Sequence, residues 1–158
     1  MTVSAPLALS LAAALLASAL VPVAAVAQTA LACAHAAPLR PAGGKKTFKA
    51  PPSLRCPAGT GPLELEGVSA EVAVVQSPRP ATKVTLNWDF VKKHREVRGA
   101  VMLDVFAGAT LLKSCKALDL GEDWSAQASG SDSGECELPA EDFGRIDRLV
   151  IRGEGAFR

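Results

Sequence analysis

From Leu63 onward, apolar and polar positions alternate with a period of two, the spacing of strands that bury one face. Val68, Ala70, Val72 and Val74 interleave with Ser69, Glu71 and Ala73, and Gly67 is placed to form a bulge. A Pro-rich break at 77–80 ends that segment. Val84, Leu86, Trp88 and Phe90 then fall on one side, with Thr85, Asn87 and Asp89 on the other, which predicts a half-buried antiparallel strand. Val97, Val101, Leu103 and Val105 mark a further strand within 97–107, which Ala107-Gly108 turns into 111–118 as a hairpin. Shorter strands are expected near 124–128, 136–138 and 148–152. Residues 139–143 have Pro at the start and acids in the first turn, which suits one turn of helix.

Seven such strands, separated by Pro, Gly, Ser and Asp, predict a mainly β domain over 63–158. The expected fold is an antiparallel β-sandwich of immunoglobulin-like architecture or a small barrel. An immunoglobulin domain proper is excluded: the chain has no Tyr for the tyrosine corner, and Cys115 lies too close to Cys136 for the inter-sheet pair.

The first third of the chain has a different pattern. No charged side chain precedes Arg40, and 15 of the first 37 residues are Ala. Leu7 to Ala27 form an apolar run ending in Ala25-Val26-Ala27, a small-x-small site before Gln28. This predicts a signal peptide at 1–27, cleaved near Ala27, and a secreted or periplasmic protein. The segment before Leu7 lacks Lys and Arg, and Arg40, Lys45, Lys46 and Lys49 follow the run, so a retained membrane anchor over 7–27 is the alternative. The membrane is then a partner only through an uncleaved leader. Leu31-Ala32-Cys33 only partly matches a lipobox. Residues 38–62 hold six Pro and four Gly, five basic side chains and no acid, so 28–62 is expected as an irregular basic arm.

Four cysteines in an exported chain predict disulfides, with three possible connectivities. Cys33–Cys56 and Cys115–Cys136 are favoured because each closes a short loop. No C-x-x-C pair supports a redox motif or zinc ribbon. Cys33 and His35 offer two ligands for an extracytoplasmic metal-binding reading, without another His nearby.

Candidate chemistry is sparse. Asp132-Ser133-Gly134 shares a tripeptide with serine-protease nucleophiles, but Glu135 replaces the following Gly and a polar turn is the simpler meaning. His94 sits among Lys92, Lys93 and Arg95 without an orienting acid in sequence; a small secreted hydrolase using it is an alternative reading. Glu122, Asp123, Asp132, Glu135 and Glu137 cluster in sequence but follow no calcium-loop spacing. No Gly-rich phosphate loop occurs, so no cofactor is expected.

Net charge is +1, yet residues 40–98 carry eleven basic and five acidic side chains, whereas 99–158 carry six and eleven. Either the halves neutralise each other within one fold or a basic surface meets an anionic partner. The residues singled out for that partner are Lys92, Lys93, Arg95 and Arg98. Nucleic acid is not expected, because Trp88 and Phe90 share the strand's core face and leave no stacking platform. The expectation is an exported, non-enzymatic binding module of the cell envelope or extracellular space.

Overall fold

The computed structural model of the chain describes residues 29–31, 33–56, 61–76, 78–93, 97–121 and 127–157, and of 127–132 the backbone alone. The expected leader and its cleavage position lie outside these residues, as do His94, Arg95 and Trp124. Among the described residues the strands begin with β1 (Thr29–Ala30), β2 (Cys33–Pro38), β3 (Arg40–Ala42), β4 (Lys45–Lys49), β5 (Ser53–Cys56) and β6 (Leu63–Glu66). There follow β7 (Ser69–Val75), β8 (Ala81–Lys93), β9 (Val97–Ala107), β10 (Thr110–Asp119) and β11 (Gln127–Pro139). After a 3₁₀ helix at Ala140–Gly144, β12 (Arg148–Phe157) ends the set.

These strands form two antiparallel sheets. In sheet I, β1 and β2 lie end to end along β12, followed by β9 and β10. In sheet II the long strand β8 is central. One of its sides pairs with β11; the other pairs with β7 and then with β6. Beyond β7 come β4 and β3, and beyond β6 comes β5. Inward residues of sheet II, including Val72, Val84, Leu86 and Trp88, share one core with Val101, Leu103, Val105, Leu149 and Ile151 of sheet I. The protein is thus mainly antiparallel β, and its paired sheets suit a sandwich or a small barrel.

Within 28–62, the span expected as an irregular basic arm, the described residues include β1 to β5. The prolines are accommodated where no ladder donor is needed: Pro38 ends β2, Pro41 lies in edge strand β3, and Pro51 and Pro52 link β4 to β5. A two-residue turn at Gly43-Gly44 joins β3 to β4. The absence of acids in this stretch is made good across the sheet, where Lys45 pairs with Glu71 of β7 at 2.8 Å.

The second difference lies in β8. Its alternation holds through Trp88, which is 3% exposed, but Phe90 is 37% exposed and Val91 is buried. The face therefore changes at Asp89. Opposite it, β11 fits Gly130 and Ser131 between the partners of Phe90 and Trp88, a bulge of one extra residue. On the other side, Gly67 breaks the run from β6 to β7 at φ 67°.

Both favoured disulfides form. Cys33–Cys56 joins β2 to β5, and Cys115–Cys136 joins β10 to β11, with Cα–Cα distances of 5.2 and 5.7 Å. Each ties an edge of sheet I to an edge of sheet II. No helix among the described residues is long and apolar enough to cross a membrane.

Candidate binding site

Of the four basic residues singled out above, the three that are described do not share one face. Lys92 points outward from sheet II and pairs with Glu66 at 2.6 Å. Lys93, on the opposite side of the strand, is 8% exposed and donates to the Gly121 carbonyl at 3.5 Å. Arg98 is exposed at the start of β9 and has a partner of its own. Arg95 is not described. The shift of face at Asp89 is what turns Lys93 inward and brings Phe90 out, so the premise that Phe90 shares the core face with Trp88 is corrected.

The lysines of the expected arm also have distinct roles. Lys46 turns toward the 3₁₀ helix, where its Nζ donates to the carbonyls of Phe143, Gly144 and Ile146 at 2.6, 3.2 and 2.5 Å. The carbonyls of Phe143 and Gly144 end the helix and that of Ile146 lies just beyond it, and a cation there complements them. Sequence offered no sign of this contact, which spans about a hundred residues.

Near the Cys33–Cys56 edge a cleft of about 630 Å³ runs between β2 and β5, with His35, Ser53 and Arg55 near Leu54 and Ile151. His35 lies beside Phe48, their ring centroids 5.9 Å apart. Buried Glu64 receives hydrogen bonds from Ser53 at 2.5 Å and Arg55 at 3.2 Å. Cys33 is consumed by its disulfide and has no thiolate to offer a metal, so the pairing of Cys33 with His35 as ligands is overturned. Among the described residues no three His, Cys, Asp or Glu side chains are grouped to hold a metal ion.

On the outer side of sheet I, Asp104 is 7% exposed between Ser114 of β10 and Arg152 of β12. Arg152 holds it with two contacts, at 2.8 and 3.3 Å, and Ser114 donates at 2.5 Å. Burial would push the Asp104 carboxyl up, but the hydrogen bonds from Arg152 and Ser114, with the Arg152 charge, hold it below its ordinary value. The Arg152 guanidinium is correspondingly raised by Asp104 and by Glu154, which it also contacts. This self-satisfied network is structural in geometry.

The outer side of sheet II has another character. By register, Arg40, Thr47, Glu71, Thr85 and Glu135 form one row across five strands, and Lys49, Ser69, Asn87 and Ser133 the next. Lys45–Glu71 and Lys83–Glu135 are ion pairs. A recess of about 590 Å³ is lined by Arg40, Thr47, Lys49, Ser69, Glu71 and Asn87. None of these residues was singled out as a site from sequence, because only the cross-strand register gathers them. Compared with known proteins, the chain matches no family model, no curated protein and no solved structure.

Proposed function

We propose that the chain is an exported, non-enzymatic binding module of the cell envelope or extracellular space, built as a disulfide-stapled β-sandwich that engages an anionic partner through cationic side chains. The observation that carries this reading is the placement of the two disulfides, one on each side of the paired sheets. Such bonds persist in oxidising compartments, and the uncharged apolar run at 7–27 supplies a route there. The balance of charge adds to it: several acids are spent on internal ion pairs, while Arg40, Lys49 and Arg79 keep none among the described residues.

Expression of the full chain in a secreting host tests the reading. The expected product begins at Gln28, carries no free thiol, and is retained by a heparin matrix but not by plain agarose, with retention lost as salt rises. A cytoplasmic product with free thiols would overturn export. An exported product that passes through heparin unretarded would overturn the anionic partner.

A further inference from the structure

We infer that the recess on the outer side of sheet II binds an acidic polysaccharide, a chain of sugars bearing carboxylates, and that Arg40 and Lys49 are its cationic contacts. This rests on the reading of the chain as an exported module with an anionic partner, and it moves the contact away from Lys92, Lys93, Arg95 and Arg98.

Four observations converge. Arg40 of β3 stands opposite Thr47 of β4, and Lys49 is two residues further along β4 on the same face. Their backbones are therefore diagonal neighbours, about 7–8 Å apart. Both side chains are exposed, and among the described residues neither makes an ion pair or hydrogen bond. Two adjacent like charges with no internal counter-ion repel each other, and an external anion relieves that cost. Glu71, the one acid in the lining, is already neutralised by Lys45.

The neutral groups narrow the ligand's chemistry. The Thr47 and Ser69 hydroxyls and the Asn87 amide stand beside the two cations, only partly exposed, and make no internal hydrogen bond among the described residues. Together they present both donors and acceptors, which suits a polyhydroxylated ligand better than a bare anion. Phe48 is the single aromatic side chain lining the recess, half-buried and tilted against His35 at 5.9 Å, so no row of rings is offered to successive bases and a nucleic acid is the weaker fit. Pro38 forms one wall, and the row continues through Thr85 toward β11, which leaves the recess open along the sheet for a linear chain.

Calorimetric titration of the mature protein with polygalacturonate, dextran and inorganic polyphosphate tests this, with thermal unfolding to confirm that each variant folds. Binding to polygalacturonate but not dextran is expected. Arg40→Gln and Lys49→Gln should each weaken it by about five- to twentyfold, the range of a lost charge-assisted contact at a wet site. Asn87→Ala should weaken polygalacturonate and leave any polyphosphate binding unchanged. Lys92→Gln should leave both unchanged. If Lys92→Gln or Arg98→Gln abolishes binding while Arg40→Gln and Lys49→Gln do not, the assignment of this recess is wrong and the anionic-partner reading stands. Polyphosphate bound as tightly as polygalacturonate, with no effect of Asn87→Ala, would overturn the sugar assignment alone. No binding to either polyanion would overturn both readings.

Discussion

Asp104 alternates with Leu103 and Val105, which face the core, and the period-two pattern therefore sets it outward. It is nonetheless almost wholly covered, because Arg152 folds across it from β12 and Ser114 approaches from β10. The alternation of β9 was legible in sequence, but Arg152 lies 48 residues away and Ser114 ten. Only the register of three strands makes them neighbours, so nothing local could announce the network. Asp104→Ala should cost about 1–3 kcal/mol, since Arg152 and Ser114 lose the acceptor that offset their partial burial. Urea unfolding checks the figure, and a change below a few tenths would show the network to be idle. Because the folded-state value of Asp104 is depressed, the unfolded chain binds its proton first as pH falls. Its stabilisation is full above the ordinary aspartate value near pH 4 and is lost as pH drops further through the folded-state value. The acid limb of the stability curve should accordingly flatten in Asp104→Asn, which cannot titrate.

At the scale of the strand, β8 shows why a correct pattern can still misplace a side chain. A single uninterrupted alternation through residue 90 puts Phe90 in the core, but β8 serves two neighbours in succession and changes face between them. The local cue was Gly67, placed from sequence at a bulge; what it does to the partner strand needs the pairing. Gly67 has φ 67°, and a Cβ built there would stand 1.9 Å from Asp89 Oδ2. Gly67→Ala therefore meets both the left-handed backbone penalty, about 1–2 kcal/mol, and a clash that Asp89 must turn away to relieve. The double variant with Asp89→Ala should recover the part of the clash made by the carboxyl group, at 1.9 and 2.4 Å, and leave the 2.9 Å contact with the Cβ of residue 89 and the backbone component. Equal stabilities for the single and double variants, by chemical denaturation, would mean that Asp89 has no part in setting the switch. Residues 28–62 carry the complementary lesson: their prolines and glycines weaken each strand alone, and cross-strand partners such as Glu71 and Val72 of β7 complete them.

For the whole molecule, the two oppositely charged halves of the sequence meet in sheet II, although most ion pairs among the described residues form within one half. Central β8 comes from the basic half and pairs with β11 from the acidic half, where Lys83 meets Glu135 at 2.5 Å. The count of charges was readable along the chain; which cations stay unspent was not, because that depends on the same register. The disulfides were readable because each closes a short loop, of 23 and 21 residues. Loops of this length stabilise by about 3 kcal/mol each in the chain-entropy model. Their surroundings differ, however. At β10 and β11 the backbones already touch, so close that a Cβ on Gly134 would lie 2.4 Å from the Ala117 carbonyl oxygen. Between β2 and β5 runs the cleft of about 630 Å³. Removing Cys115–Cys136 by Ser substitution should lower global stability and leave β10 and β11 packed until the whole domain unfolds. Removing Cys33–Cys56 should lower it similarly, and in addition let β2 and β5 open on their own. Amide hydrogen exchange separates the two outcomes: in the Cys33–Cys56 variant, protection should fall first across β2 and β5 and at the β12 amides that face β2, with β9 unaffected. A uniform loss of protection in both variants would mean that the two edges are equally held without their bonds, and that the cleft is no weaker than the packed edge.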